Sequence, residues 1–486
     1  MQEFFKKYKK EAALVAGLLL CLFFFFVNPL GLAFKAKLVL AIAALMISWW
    51  VLDAMPLAVV AMVPIVLFPL LNISSIKDVT RSYSDSIIFL FMGGFFIGIA
   101  IEKWNLHKRI ALGIINITGT SGNKIILGFI IATGFLSMWL SNTATTMMMF
   151  PIAMSVIHVI TTHNKESTGV RNFSLALMLC IAYASNFAVG TIIGTPPNVA
   201  YVNYIHEKFS YTIGFTDWMI VFTPLTIVLM AFLYWVMVKF LFPNRIKHSI
   251  EGRAFIRAEL KELGKLTTPE KRVLLVFIFT VFLWITKDII NSIQKTVVLD
   301  DTIIAMMGAI TLFIIPSGNK TKEKGERLLE WPDTGKMAWG ILLLFGGGLA
   351  LAKALEDAKL MDQLGTYIAS YATTNTFLMI LIVTTISVFL SEVMSNVAQV
   401  IVMAPVISSV AVAMHLDPLL LGIPMTLGAS CAGMLPMGTP PNAIVFASGH
   451  IKLKDMIRAG FVLNIISIIL ITLFCWLVQP MIMRLM

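Results

Sequence analysis

Two polar, helix-breaking phrases each occur twice in a chain whose remaining sequence is strongly apolar. Gly194-Thr195-Pro196-Pro197-Asn198 returns as Gly438-Thr439-Pro440-Pro441-Asn442. Ser141-Asn142-Thr143-Ala144 returns, with one change, as Ser395-Asn396-Val397-Ala398. In both copies the Ser-Asn element comes first, and the Gly-Thr-Pro-Pro-Asn element follows after one further apolar run. Lipid offers no partners for free backbone groups, so irregular chain at membrane depth must be buried in protein or line a cavity. A duplicated pair of such breaks is the pattern of a transporter binding site formed between two structural repeats.

Composition requires the membrane. Of 486 residues, 58% are hydrophobic and 13% charged, more apolar surface than a soluble core can bury. The polar stretches 243–272 and 317–336 are too short for ordinary domains. The apolar segment 12–33 has the length of a full span rather than of a signal core, and no small-residue cleavage site follows it. The net charge of +11 comes from basic loops, not from a nucleic-acid module. Cys21, Cys180, Cys431 and Cys475 sit in apolar runs without metal-ligand spacing and read as packing residues.

The runs 124–140 with 144–161, and 376–391 with 397–414, are each interrupted only by a Ser-Asn element, which favours local turns. Read as two re-entrant hairpins, they leave eleven crossings. Lys6, Lys7, Lys9 and Lys10 place the N-terminus in the cytoplasm. The basic 243–272 loop (Arg245, Lys247, Arg253, Arg257) and 317–336 loop (Lys320, Lys322, Lys324, Arg327) then fall on the same side, while Lys295 beside Asp300 and Asp301 falls outside. The C-terminus is external. Phe91-Met92-Gly93-Gly94 with Glu102-Lys103 echoes Phe345-Gly346-Gly347-Gly348 with Glu356. An odd number of crossings separates the copies, so they form an inverted-topology repeat. The glycines Gly93, Gly94 and Gly346 to Gly348 read as close helix packing.

The chemistry excludes several classes. Ser317-Gly318-Asn319-Lys320-Thr321 lacks the upstream glycine of a phosphate loop. A Pro-Pro step is expected to end a helix. The break frees carbonyls suited to Na⁺ on one side and helix N-terminal N–H groups suited to an anion on the other. Neutral Ser, Thr and Asn ligands avoid the desolvation cost of a fixed buried cation.

At these residues the sequence resembles the divalent anion/sodium symporter family of di- and tricarboxylate transporters. Trp49-Trp50, followed by Asp53-Ala54-Met55-Pro56-Leu57, resembles that family's junction between second and third helices. The resemblance implies an all-α elevator-type transporter working as a homodimer, with no cofactor and Na⁺ as its coupling ion if it has one. It places scaffold at 1–115 and 273–370, a transport domain at 116–242 and 371–486, and a cytoplasmic linker at 243–272. The implied substrate is a C4 or C5 dicarboxylate such as succinate, malate or 2-oxoglutarate, crossing the plasma membrane. By motif, substrate would meet Ser141, Asn142, Thr143, Thr195, Ser395, Asn396, Thr439 and Pro440. One cation site would use Ser137, Ser141, Asn142 and Gly194; a second would use Ser391, Met394, Asn396 and Gly438. Val397 and Gln399 stand where the first copy has Thr143 and Thr145, and this altered half-site favours dicarboxylate exchange over Na⁺ symport. Glu392, beside Ser391, reads as half of an ion pair or as a solvated position. Inorganic anion transport is a further reading, and a membrane-embedded enzyme or receptor is the alternative of another class.

Overall fold

The structure, a computed structural model, describes residues 9–28, 31–119, 121–163, 168–244, 246, 250–294, 296–318, 325–370 and 375–478. Lys6, Lys7, Arg245, Lys247, Lys295, Lys320, Lys322 and Lys324, used above for orientation, lie outside the described residues.

The named elements of the described chain are all helices. It opens with α1 (Lys9–Val27), α2 (Phe34–Val51), α3 (Leu57–Leu70) and α4 (Ile76–Ser82). The first repeat follows as α5 (Ser86–Lys103), α6 (Leu106–Thr118), α7 (Gly122–Ser137), α8 (Asn142–His163), α9 (Thr168–Asn186), α10 (Pro196–Phe209) and α11 (Phe215–Trp235). Between the repeats come α12 (Ile250–Glu262), α13 (Thr268–Ile293) and α14 (Asp301–Ile314). The second repeat is α15 (Trp339–Asp357), α16 (Leu360–Ala369), α17 (Thr376–Leu390), α18 (Asn396–Ala413), α19 (Pro418–Ala429), α20 (Pro440–Phe446) and α21 (Leu453–Leu477).

Among the described residues, 9 helical stretches are long and apolar enough to cross a membrane, and shorter apolar helices such as α3, α14 and α19 lie among them. The architecture is therefore that of a polytopic all-α membrane protein. The arms of the first expected hairpin differ: α7 has 16 residues, too few to cross alone, whereas α8 has 22.

The repeat runs deeper than its shared letters. Asn105 and Lys359 occupy matching positions ahead of α6 and α16, and both are left-handed, with φ of 54° and 55°. Asn adopts that conformation readily and Lys does not, so the kink belongs to the architecture rather than to the residue. In each copy the helix before the break is clasped by the hairpin: α9 packs on both α7 and α8, and α19 on both α17 and α18. The copies then exchange partners. α20 packs on α8 and α9, and α10 packs on α18 and α19. The two repeats thus interlock into one body around the four breaks.

Close packing explains the glycine-rich helices, as the sequence led us to expect. A Cβ on Gly93 would stand 2.7 Å from the carbonyl carbon of Ala305, and one on Gly347 would stand 2.2 Å from the carbonyl oxygen of Ala61. At the resembling junction, Trp50 donates its indole N–H to Leu57 O at 3.2 Å, and Asp53 turns the chain with φ of 51°.

The expected linker 243–272 holds a helix that the polar composition concealed. α12 packs on α6 and α8, with Lys108 Nζ 2.8 Å from Glu259 Oε2. Arg109 on α6 donates to Leu263 O (3.0 Å) and Gly264 O (2.8 Å) at the end of α12, and to Glu270 Oε1 (2.8 Å) at the start of α13. Glu270 also closes a capping box with Thr267. Arg109→Ala would leave Glu270 buried without its cation and free the turn at 263–266. Trypsin cleavage at the exposed Lys265 should quicken about 10-fold or more, since cleavage follows local opening; an unchanged rate would mean that Arg109 does not hold the turn.

Candidate functional site

The breaks are longer than the motif alone implies. α9 stops at Asn186, and the chain runs unwound to Thr195 with a single 3-10 turn at Ile192–Gly194. α19 stops at Ala429, and irregular chain continues to Thr439. The prolines do not end the preceding helices. Pro196-Pro197 and Pro440-Pro441 occupy the first turns of α10 and α20, where the missing N–H costs nothing and the fixed φ is already helical. The expectation that the Pro-Pro step terminates a helix is corrected accordingly.

The motif asparagines hold the unwound chain. Asn198 Nδ2 donates to Val189 O (3.2 Å) and Thr191 O (3.0 Å), and Asn442 Nδ2 donates to Ala432 O (3.2 Å) and Leu435 O (3.1 Å). Both are fully buried. These bonds take up carbonyls that the break would otherwise leave unpaired.

At the first tip, Ser137, Asn142 and Gly194 come together. The end of the Asn142 amide lies 2.7 Å from Ser137 Oγ, 2.9 Å from Gly194 O and 3.2 Å from Ser185 O. With nitrogen facing them, the amide donates to all three. With oxygen facing them, Asn142 Oδ1, Gly194 O, Ser185 O and Ser137 Oγ converge; the Ser137 hydroxyl donates to Asn142 Oδ1 at 2.7 Å, and a cation would offset the crowding of the remaining oxygens. The residue types and the crowding fit a small hard cation. The Ser185 carbonyl, at the end of α9, was invisible in sequence because any residue supplies one. Ser141 Oγ caps α8 by accepting from Ala144 N at 3.2 Å. Met138 O accepts from Thr191 Oγ1 at 2.5 Å, tying tip to loop. The tip bears on α13 through Trp139, whose ring is 4.9 Å from that of Phe277.

The second tip is built differently. Ser391 Oγ donates back to Val388 O at 3.1 Å. Asn396 Oδ1 is buried without a hydrogen-bond partner. Met394, Ser395 and Asn396 are half-buried, and Gly438 is buried. Glu392 is not solvated and has no ion-pair partner among the described residues, contrary to expectation. Only 3% exposed, its carboxylate accepts from Gly433 N (2.7 Å), Met434 N (2.9 Å), Leu435 N (3.0 Å) and Asn464 Nδ2 (2.7 Å). Three successive amides of the second break form an anion nest that the carboxylate fills. An acidic residue beside a break was the available signal; its distant partners were not.

The two departures from the first copy have structural reasons. Gln399 Nε2 reaches Ser387 O (2.9 Å) and Ser387 Oγ (2.6 Å), joining the arms of the second hairpin. The matching Thr133 and Thr145 of the first hairpin have buried hydroxyls with no partner. Val397 is 8% exposed and part of the apolar core.

The remaining expected ligands divide in two. Ser141, Asn142 and Thr143 are half-buried, and Pro440 is exposed. Thr195 and Thr439 are 1% and 4% exposed. Thr195 Oγ1 accepts from Ser430 Oγ at 3.2 Å; Thr439 Oγ1 accepts from Asn186 Nδ2 at 3.2 Å and from Asn442 N at 3.3 Å.

The repeats also predict unequal tolerance at their glycines. A Cβ on Gly194 would stand 2.3 Å from Ala188 O, which is backbone and cannot withdraw; on Gly438 the nearest atom is Glu392 Oε2 at 3.2 Å. Gly194→Ala should reduce transport by about 100-fold, and Gly438→Ala by less than about 5-fold, because steric displacement at a binding centre costs in proportion to the shift it forces. Equal effects would show that the two breaks do not differ in this way.

A membrane-embedded body with paired helix breaks, carbonyl-rich turns and uncharged polar tips is a transporter of the broken-helix class. Residues 6–485 match the family described as "Sodium:sulfate symporter transmembrane region". The chain belongs to this divalent anion:Na⁺ symporter family, a family of transporters and not of enzymes. It is 40% identical over 459 residues to the sodium-dependent dicarboxylate transporter SdcS of Staphylococcus saprophyticus, covering 93% of this chain and 88% of the relative. The SdcS of Staphylococcus aureus strain USA300 is 40% identical over 495 residues, covering 99% and 95%. Among solved structures, the YdaH transporter of Alcanivorax borkumensis aligns with a TM-score of 0.58 at 11% identity, over 90% of this chain and 98% of that one; at that identity the likeness concerns the fold alone.

Proposed function

We propose that the chain is a Na⁺-coupled symporter of a C4 or C5 dicarboxylate of the succinate, malate and 2-oxoglutarate class. The observation that carries this reading is the convergence of Ser137 Oγ, Asn142, Ser185 O and Gly194 O at the first break. An oxygen cluster of that kind has a use in symport and none in plain dicarboxylate exchange. The SdcS relatives, named as sodium-dependent dicarboxylate transporters, support symport over the exchange that the sequence had favoured.

The first cation would take Ser137, Asn142, Gly194 and the Ser185 carbonyl, with Ser141 shaping the tip. The second would take Ser391, Met394, Asn396 and Gly438, its Asn396 oxygen still in need of a partner. Substrate carboxylates would meet the half-buried rim of Ser141, Asn142, Thr143, Ser395 and Asn396 with Pro440. There the N-termini of α8 and α18 supply partial positive charge without a fixed cation. Thr195 and Thr439 act from behind that rim. The interlocked hairpin body (116–242 and 371–486) moves against the scaffold (1–115 and 273–370) as an elevator in a homodimer of the plasma membrane, with N-terminus cytoplasmic and C-terminus external.

Uptake of labelled succinate into proteoliposomes tests this. An inward Na⁺ gradient should drive accumulation into empty vesicles. Uptake only into vesicles preloaded with dicarboxylate would replace symport by exchange, and no uptake in either format would remove the dicarboxylate reading. The family description favours one second reading, sulfate as the transported dianion. Excess sulfate should fail to compete; full competition would favour that reading.

A further inference from the structure

We propose that Asn186 and Ser430 are positioning residues that couple the two cation half-sites, each reaching from its own repeat to the threonine beside the other repeat's break; the proposal rests on the Na⁺-symport reading and deepens it.

The two residues hold matching places. Asn186 is the last residue of α9 and Ser430 caps α19, and each stands at the same distance in sequence ahead of its own Gly-Thr-Pro-Pro-Asn element. Neither bonds to its own repeat's threonine. Asn186 Nδ2 crosses to Thr439 Oγ1 at 3.2 Å, and Ser430 Oγ crosses to Thr195 Oγ1 at 3.2 Å. Thr439 directly follows Gly438, and Thr195 directly follows Gly194, the glycines assigned to the two cation sites. All four residues are at most 4% exposed, so water does not replace a bond that is lost.

The consequence is mechanical. A cation that draws in the Gly194 carbonyl fixes Thr195, and through it Ser430, where the second unwound segment begins. A cation at the second site fixes Gly438 and Thr439, and through Thr439 it fixes Asn186, next to the Ser185 carbonyl of the first site. Each ion therefore orders part of the other's cradle, which is positive coupling between sites and is reciprocal.

The two arms are unequal. The Asn186 amide has two hydrogens and also reaches Ala432 O (3.2 Å) and Asn442 Oδ1 (3.4 Å). The Ser430 hydroxyl has one, and Asn198 Oδ1, the counterpart of Asn442 Oδ1, is buried without a partner. Loss of the Asn186 arm should uncouple the sites more than loss of the Ser430 arm.

The test is the Na⁺ dependence of succinate uptake by the purified full chain in proteoliposomes. Wild type should respond sigmoidally, with a Hill coefficient of about 2 for two coupled sites. Asn186→Ala should bring it close to 1, and Ser430→Ala should lower it less. Asn186→Ser, which installs the donor used by the other repeat, should retain more of the sigmoid than Asn186→Ala. The succinate KM at saturating Na⁺ should change less than about 2-fold, since neither side chain lies on the rim. Slower uptake with an unchanged Hill coefficient in both alanine variants would reduce the two residues to structural supports and overturn the proposal. A wild type with no Na⁺ dependence would overturn the symport reading and the coupling with it; a sigmoidal wild type with equally sigmoidal variants would overturn the coupling alone. If Asn186→Ala is not monodisperse on size exclusion, Asn186→Ser and Ser430→Ala decide the matter.

Discussion

Asn142→Ala should reduce Na⁺-driven succinate uptake by roughly 100-fold or more, and Asn396→Ala should do the same, but only the first should lower the melting temperature. The Asn142 amide end touches three oxygens within 3.2 Å, each worth ~0.5–1.5 kcal/mol as a hydrogen bond in the resting protein. Its removal takes that donor from Gly194 O, while Ser185 O keeps the Ser137 hydroxyl at 3.1 Å. Asn396 has the mirrored position in the motif, yet its Oδ1 is buried without a partner. Truncating it removes an unsatisfied group, so the resting fold loses nothing, while the second cation site loses its side-chain ligand. Thermal unfolding in detergent, run beside uptake, separates the two cases. Wild-type uptake by either variant would show that its tip is not part of the site.

Glu392→Ala should be the most disruptive single change to the second repeat. It strands three adjacent backbone donors, at Gly433, Met434 and Leu435, together with the Asn464 amide. Each buried donor without an acceptor costs about 1–3 kcal/mol; the bonds from Gly433 and Asn464 are buried and those from Met434 and Leu435 partly so. We expect a fall in melting temperature and complete loss of uptake. Glu392→Gln keeps one acceptor oxygen but turns an NH₂ group toward N–H donors and removes the negative charge, so it should rescue little. Glu392→Asp keeps the charge and shortens the reach, and should rescue part. Near-normal uptake by Glu392→Gln would mean that shape matters at this position and charge does not.

The sequence disclosed the class of fold and the places where helices break because both rest on strong local signals. Apolar runs mark membrane helices, and a repeated Ser-Asn tip with a repeated Pro-Pro step marks breaks in them. At the first tip the Ser137 and Asn142 side chains meet the Gly194 carbonyl. What stayed hidden was contributed by backbone or by distance. The Ser185 carbonyl carries no letter of its own. Glu392 finds its partners some 40 residues away in sequence, and Asn186 meets Thr439 across the whole length between the repeats. The helix α12 was masked by its polar composition, since its apolar face is narrow and is needed only against α6 and α8. The Pro-Pro step was misjudged for another reason: proline both stops a helix and starts one, and only the position of the previous helix end decides between the two.

The exchange of partners between repeats, with α20 lying on α8 and α10 lying on α18, has a consequence for how such a chain could be divided. Neither half is a folding unit by itself: residues 1–249 alone would present α8 and α9 without their cover, and residues 250–486 would leave α18 and α19 equally bare. Cut in the intervening segment and expressed together, the fragments carry complementary surfaces and should reassemble as a non-covalent pair, whereas either one expressed singly should be degraded.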